Sequence, residues 1–446
     1  MNQSKLFAIA AAAVVMVSCG NEDGGGGTPL TPEENKERLD KVGMEVINMI
    51  NPSNHQDLCE AIDHFFEYGE DGNLGDTFHD PNAYSLMSST LKALEDACTK
   101  GDMHGLITKV EVTDFIYRAK DYYGVYEYNS RNGEWEYTSD SEKLEFRYSF
   151  DGKNIVATAV ASGNETEVSY TDRYTEPGYE DWNGNYHPGE DYEDNYIVYV
   201  PEKVEVSMTM DGNSMASVTV STDCQVNDHI RINIDYAAAD LEGNVNVDMD
   251  NTSGSVAYTL DMGGRNIVKG SASFSGSDMT DPDDVINDVE NAVRTAEAEV
   301  LILDEVRVYG KCTNVSGYIN KSEDLDNEYE HMAGYNYYYT KDYNEESAEL
   351  FNEYFSFELS YNPDNTRVAS VFAQVYFDED YSYWDPETQE YTNGGYGYEP
   401  IIKFDIDDSE YSIESYFSES NFGSIVDSVE DLGDIYEGYF PYCFGY

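Results

Sequence analysis

Along this chain the apolar positions recur first at helical spacing, then at a spacing of two, then as a mixture of both. Thr31-Pro32-Glu33-Glu34 is a capping box with proline at the first helical position. Leu39, Val42, Val46, Met49 and Ile50 follow at helical intervals until Pro52. Leu58, Ile62, Phe65 and Phe66 mark a second amphipathic helix, and Met87, Leu91, Leu94 and Cys98 a third. From about residue 107 the period becomes two. Val204, Val206, Met208 and Met210 alternate up to a turn at Asp211-Gly212-Asn213. Ala216, Val218 and Val220, then Ile230, Ile232, Ile234 and Tyr236, then Val245, Val247 and Met249 continue the alternation. Val256, Tyr258, Leu260 and Met262 carry it to a turn at Gly263-Gly264. The pattern predicts an antiparallel meander with one apolar and one polar face.

Thr280-Asp281-Pro282 reads as the start of another helix, carrying Val285, Ile286, Val289, Val293 and Ala296 to about Leu303. Beyond it, strands are expected at 306–309, 355–361, 368–377 and 401–406, with helices near 345–355 and 421–435. The expected fold is α+β, predominantly antiparallel β as a curved sheet or half-open barrel, with an N-terminal helical layer and a C-terminal α+β part. The expected division is a signal segment at 1–18, a tether at 19–30, a helical layer at 31–105, an antiparallel β domain at 106–280 and an α+β domain at 281–446.

The first residues set an address. Lys5 precedes an apolar run at 6–17. That run is shorter than the ~20 residues a bilayer span needs but suits a secretory signal. Met16-Val17-Ser18-Cys19 resembles the bacterial lipobox, with Met16 where leucine is usual. The resemblance implies that Cys19 is diacylated on sulfur and becomes the first residue of the mature chain. Two or three acyl chains anchor stably where one does not. The glycine-rich residues after Cys19 form a flexible spacer. Asn21-Glu22-Asp23 resembles the surface-export signal of Bacteroidetes lipoproteins, which implies an outer-membrane protein facing the cell exterior, the periplasmic face being the alternative.

Charge narrows the partners. With 89 acidic and 25 basic residues the net charge is −64. Such a surface repels nucleic acid and anionic membranes, so the lipid on Cys19 is the expected membrane contact and nucleic acid is excluded as a partner. It also attracts divalent cations. The 40 tyrosines point to a folded body with an acidic skin and away from a disordered chain. Besides Cys19, Cys59, Cys98, Cys224, Cys312 and Cys443 have no zinc-site spacing. Cys59 and Cys98 are either a disulfide between neighbouring helices or two small buried residues, the plainer reading.

Catalytic signatures are absent. No G-x-S-x-G, H-E-x-x-H or phosphate-binding glycine loop occurs, and the histidines lack metal-ligand spacing. The near miss Gly212-Asn213-Ser214-Met215-Ala216 lies at a hairpin turn, where a nucleophile elbow needs a strand-to-helix turn. No enzyme is expected. Asp181, Asn183 and Asn185 alternate as in the first half of a calcium loop, with Glu190 and Asp191 as further candidate ligands for Ca²⁺. Tyr186 and Tyr192 stand where an EF-hand has its glycine and glutamate, and a polar turn at Asn183-Gly184 explains the stretch equally simply. Trp135, Trp182 and Trp384 each sit in a turn-rich, tyrosine-rich acidic setting, as sugar-stacking rings do, or fold back over their own hairpins.

The runs YGVYEYNSRNGEWEY, SEKLEFRYSFDGK, VPEKVEVSMTMDGNSMASVTV and FDIDDSEYSIESYFSESNF resemble a group of Bacteroidetes lipoproteins of unassigned function. That resemblance implies a mostly β ectodomain and carries no functional residues with it. The function expected is a lipid-anchored, non-catalytic envelope protein that binds a glycan or protein partner. A carrier of lipid or another apolar ligand, using Met208, Met210, Met215, Met249 and Met262, is the first alternative. A polysaccharide hydrolase, which needs two carboxylates ~5–10 Å apart, is the second.

Overall fold

The computed structural model describes residues 30–68, 120–176, 190–281, 293–362, 366–385 and 390–439, with the short pieces 179–180, 186–187 and 283. Helices α1 (Pro32–Met49) and α2 (Pro52–Glu67) begin where the sequence signals them. The Glu34 amide donates to Thr31 Oγ1 at 3.2 Å while the Thr31 amide donates to Glu34 Oε2 at 2.9 Å, so both halves of the capping box form. The expected helix over 87–98 lies outside the described residues.

The strands are β1 (Gly124–Asn129), β2 (Glu134–Ser139), β3 (Leu144–Phe150), β4 (Lys153–Glu176), β5 (Tyr179–Glu180), β6 (Tyr186–His187) and β7 (Glu190–Met210). They continue as β8 (Asn213–Gln225), β9 (His229–Ala238), β10 (Leu241–Asp250), β11 (Ser253–Met262), β12 (Arg265–Gly276) and β13 (Val293–Ile302). The last are β14 (Val306–Cys312), β15 (Phe355–Tyr361), β16 (Thr366–Asp385), β17 (Glu390–Phe404) and β18 (Glu410–Ser412). Helices α3 (Val315–Ala333) and α4 (Lys341–Tyr354) connect β14 to β15, and α5 (Ile413–Tyr416) and α6 (Glu419–Tyr439) follow β18.

Sixteen of these strands form one sheet, ordered β2-β1-β3-β4-β7 and then in sequence to β18; β5 and β6 pair separately. From β7 onward each strand pairs antiparallel with the next in the chain, and tight turns set the register from β7 to β12. Asp211 and Gly212, at φ of 49° and 82°, make the doubly left-handed turn that matches the strand twist. The sheet is open. Its edges are β2 and β18, and β18 is 3 residues long, too short to offer a closing ladder, so the half-open barrel gives way to an open sheet. It is also continuous across residue 280, because β12 and β13 are hydrogen-bonded neighbours. The expected boundary between a β domain and an α+β domain therefore falls inside one sheet.

Register explains why a sheet this wide holds together. One row of directly opposed residues crosses twelve strands: Ala161, Val204, Val220, Ile234, Val245, Tyr258, Gly270, Val300, Val308, Leu359, Ala369 and Phe404. A slip of one residue in any hairpin would turn that strand's apolar set to water. The single glycine is covered by its neighbour: a Cβ at Gly270 would lie 2.0 Å from the Tyr258 ring. Gly243 sits under Tyr236 in the same way. An aromatic ring laid over a cross-strand glycine replaces the burial the glycine lacks.

Two cores share this face. Leu58, Ile62 and Phe65 of α2 pack on Phe146, Ile155, Ala157 and Met208. Leu39 and Val42 of α1 pack with Val308, Leu359, Phe404 and Phe422. The opposite face carries the polar half of the alternation, laced by ion pairs such as Lys203–Glu205 at 2.7 Å, Arg231–Asp248 at 3.2 Å and Arg307–Glu299 at 2.6 Å.

The segment from 280 to 303 corrects the expected helix. Val293–Ile302 is strand, pairing with β12 on one side and β14 on the other; Val285, Ile286 and Val289 lie outside the described residues. Ala296-Glu297-Ala298-Glu299-Val300 satisfies a period of two as well as a helical stripe, and alanine and glutamate favour helix locally. Ladders on both sides outweigh that preference.

A buried polar chain pins α2 and α6 to the sheet. His55, 4% exposed, places Nε2 2.6 Å from Asp240 Oδ1, in the turn between β9 and β10, and Nδ1 against the Tyr436 hydroxyl of α6. Asn54 Nδ2 donates to Asp240 Oδ2 at 2.6 Å. Burial by itself would push the Asp240 carboxyl up; the hydrogen bonds from Asn54 and His55 outweigh it and hold the group below the ordinary aspartate range. A depressed folded-state value means stability present at neutral pH and lost as pH falls through it. Asp240→Asn should therefore lower the melting temperature at pH 7, and the gap to wild type should narrow near pH ~3. Melting curves at the two pH values check this; an undiminished gap at low pH would assign the loss to geometry instead of charge.

Candidate functional site

Two strand pairs outrun the rest of the sheet. β4 and β7 stay paired from Glu165–Pro201 out to Glu176–Glu190, past a bulge at Ser162/Glu165. Beyond that bulge the Thr171 amide donates to Asp283 Oδ1 at 2.6 Å, so this ribbon meets the connection after β12. β16 and β17 form the second ribbon. β15 stops pairing at Ser370 and β18 at Ile401, so residues 371–385 and 390–400 ladder only with each other. Helix α4 steadies this ribbon's base. Asn352 accepts from the Ala373 amide at 2.7 Å and donates to the Ala373 carbonyl at 2.9 Å, taking the place of a neighbouring strand. Asn344 Nδ2 donates to the Tyr396 carbonyl at 3.1 Å.

The β16–β17 ribbon is where aromatic surface meets water. Tyr376 is 44% exposed, Phe377 49%, Tyr391 70% and Tyr398 39%. Among the described residues these are half of the exposed large hydrophobic side chains, and Tyr338, in the turn against β17, is a fifth. Tyr376 and Phe377 are consecutive, so their rings leave opposite faces of the ribbon. Glycines seat both. Gly397 lies opposite Tyr376 and a Cβ there would come within 2.9 Å of its ring; a Cβ at Gly394 would come within 2.1 Å of Phe377. Each ring thus lies along the backbone with one face turned outward.

The charge around these rings is negative. Glu399 faces Glu414; burial pushes its carboxyl up and the Glu414 charge pushes it further. The contrast is an open trough of about 600 Å³ on the polar face of the sheet, walled by Arg231 and Asp248 on one side and Glu297 and Lys311 on the other. Its groups already satisfy one another: Ser275 and Thr295 hydroxyls meet at 2.6 Å, and Ser273 donates to Glu297 at 3.1 Å. The trough offers a ligand few unspent hydrogen bonds, while the ribbon offers aromatic surface exposed to water.

The sequence-derived candidates fare differently. Trp135 is corrected outright: it is fully buried, in edge-to-face contact with Phe146 at 5.1 Å and tilted against Phe65 at 5.6 Å, so it cannot stack on a sugar. Its strand reads Glu134-Trp135-Glu136-Tyr137, and the period of two turns Trp135 toward α2. Trp384 has its backbone in the exposed ribbon, opposite Tyr391. Cys19, Trp182, Asp181, Asn183 and Asn185 lie outside the described residues. Glu190 and Asp191 enter β7 with backbone partners Glu176 and Thr175. Among the described residues no group of three or more His, Cys, Asp or Glu side chains converges as a metal site. Cys98 and Cys443 are outside the described residues, while Cys224 and Cys312 are free thiols that burial pushes above the ordinary range.

Met208, Met210 and Met262 are core residues, and Met215 is half-buried against them. Sequence reasoning missed Tyr376, Phe377, Tyr391 and Tyr398. Their signal is the repeated pairing of tyrosine with glycine in Gly394-Gly395-Tyr396-Gly397-Tyr398. Among the described residues no helix is long and apolar enough to cross a membrane. No family model, curated protein or solved structure matches this chain.

Proposed function

We propose that this chain is a lipid-anchored, non-catalytic protein of the bacterial outer envelope that binds a glycan or protein partner through the β16–β17 ribbon. The observation that carries the reading is the concentration of outward-facing rings on that one ribbon, 70% exposed at Tyr391. A ring that large left in water forfeits burial worth roughly 1.5–3 kcal/mol, and a partner that covers it recovers that stabilisation. The anchor on Cys19 and the glycine-rich spacer would hold the ribbon away from the membrane. Cell-surface display follows from the Asn21-Glu22-Asp23 resemblance. A calcium ion at Asp181, Asn183, Asn185, Glu190 and Asp191 remains a separate proposal, as does a glycan contact at Trp182 or Trp384.

The test is site-specific photocrosslinking in intact cells. A benzoylphenylalanine at position 391 should give a discrete adduct with an envelope component. The same probe at Ile406, 39% exposed in the turn at the opposite end of β17, should give none. No adduct at 391, or equal adducts at both positions, sinks the ribbon as the binding surface.

A further inference from the structure

We infer that His229 is a proton-dependent latch: its charged ring holds the β8–β9 turn against the β10–β11 turn and the connection after β12, and lets go as pH rises. The two ring nitrogens make the first argument. Nε2 lies 3.0 Å from Asp223 Oδ1 on β8, and Nδ1 lies 2.8 Å from Asp228 Oδ2 in the turn. Both oxygens belong to carboxylates, which only accept, so both nitrogens must carry a proton. A neutral ring can donate to one carboxylate and turns a lone pair toward the other. The arrangement is complete only as the imidazolium.

The surrounding charges agree with this. The bonds to Asp223 and then Asp228 push the His229 pKa up, and they outweigh desolvation and the repulsion of Arg231. Arg231, next on the same face of β9, lies 3.5 Å from Asp223 and 3.2 Å from Asp248. Asp250, opposite His229 on β10, is engaged by Thr252 and Ser253. Asp223 therefore keeps a second cation when the ring is neutral, whereas Asp228 pairs with no other cation among the described residues.

The second argument is what the turn holds. Asn227, at φ of 62°, sits in a closed ring of hydrogen bonds between neighbouring turns. Its amide donates to the Thr280 carbonyl at 3.2 Å, Thr280 Oγ1 donates to Asn251 Oδ1, and Asn251 Nδ2 donates to the Asn227 carbonyl at 2.7 Å. Thr280 is fully buried and Met279 beside it is 1% exposed, so the connection is anchored here. Further along it, Asp283 accepts from the Thr171 amide, so the same connection also reaches the β4–β7 ribbon. Asp228, next to Asn227, is the residue the ring clamps. Because the folded turn raises the affinity of the ring for its proton, the hold is complete at mildly acidic pH and fades as pH climbs through the raised value. Asp240 works in the opposite sense, losing its contribution as pH falls.

The experiment takes two readings on the full chain in detergent. NMR of isotope-labelled histidines follows each ring with pH, the His229 signal being assigned by its loss in His229→Gln. Its midpoint should lie above the ordinary histidine value of about 6.5, and should fall toward that value in Asp228→Asn and as salt rises. Hydrogen exchange, corrected for its intrinsic pH dependence, then compares residues 226–231 and 277–281 at pH ~6 and pH ~9. Between these, the wild type should lose about threefold more protection than His229→Gln, on the scale of an exposed ion pair. Every other titrating group is common to the two proteins, so the difference isolates the ring. Asp228→Asn keeps the ring and should show the same reduced pH dependence, which covers a glutamine variant that fails to fold. A His229 midpoint at or below about 6.5 would overturn the inference. So would parallel loss of protection in the wild type and the variants.

Discussion

Trp135→Ala should unfold this protein more readily than any substitution in the exposed ribbon, lowering stability by roughly 3–5 kcal/mol. The side chain is fully buried and sits among Phe65, Tyr128, Phe146 and Tyr148, with ring centres 5.1 to 6.0 Å away. Those rings belong to α2, β1 and β3, so the tryptophan joins the first helices to the edge of the sheet. Truncation leaves a cavity that three separate elements cannot close by a simple shift. A second variant sharpens the point. Trp135 Nε1 has no hydrogen-bond partner, and an orphaned buried donor costs roughly 1–3 kcal/mol. Trp135→Phe removes that orphan along with part of the ring, so its loss should be well under half that of the alanine variant. Urea titrations of the two variants decide it. A tryptophan serving as a sugar platform would instead tolerate alanine with its midpoint unchanged, and that outcome would refute the core assignment.

Trp135 also shows where sequence reasoning works and where it stops. Composition around it is acidic and turn-rich, which points to the surface; the alternation Glu134-Trp135-Glu136-Tyr137 points to a half-buried strand. Period was the better guide here, as it was from Val204 to Met262, where Met208, Ala216, Ile234, Val245 and Met262 are buried as their spacing requires. The same criterion fails at 293–302, where Ala296, Val300 and their glutamates fit both periods and only pairing with β12 and β14 decides. Helix α3 escapes it for another reason: Tyr318, Leu325 and Tyr329 are its apolar side, and so thin a stripe gives no clear helical signal. The ribbon rings escape it because Tyr376 and Phe377 are adjacent. A strand with large rings at both parities has no assignable inner face, and exposure then depends on which neighbours stop pairing. That is set by β15 ending at Ser370 and β18 at Ile401, facts of topology that no local window contains.

Asn35→Ala should cost roughly 2–4 kcal/mol, because it takes the acceptor from the buried Tyr361 hydroxyl and the donor from that of Tyr416. Asn35 is fully buried in the second turn of α1. Its Nδ2 donates to the Tyr416 hydroxyl at 2.8 Å and its Oδ1 accepts from the Tyr361 hydroxyl, while the Tyr416 hydroxyl donates to the Pro32 carbonyl at 3.1 Å. The chain thus links α1, β15 and α5 through one amide, with every donor and acceptor used. Arg38 reinforces it, stacking on Tyr361 and pairing with Glu305 at 2.7 Å. The position matters because α1 follows the proposed tether directly: pull on the anchor is delivered to this amide before it reaches the sheet. The diagnostic comparison is Asn35→Leu alone against Asn35→Leu/Tyr361→Phe/Tyr416→Phe. The single variant keeps the volume but orphans the Tyr361 hydroxyl, leaves that of Tyr416 with the Pro32 carbonyl alone, and should lose nearly as much as alanine. The triple variant replaces the whole polar chain with apolar groups and should recover most of the loss, since removing both ends of a buried hydrogen bond is close to neutral. Chemical denaturation, with limited proteolysis reporting on α1, measures both. A triple variant weaker than the single one would show that the hydroxyls hold α1 in some way the Asn35 amide does not mediate.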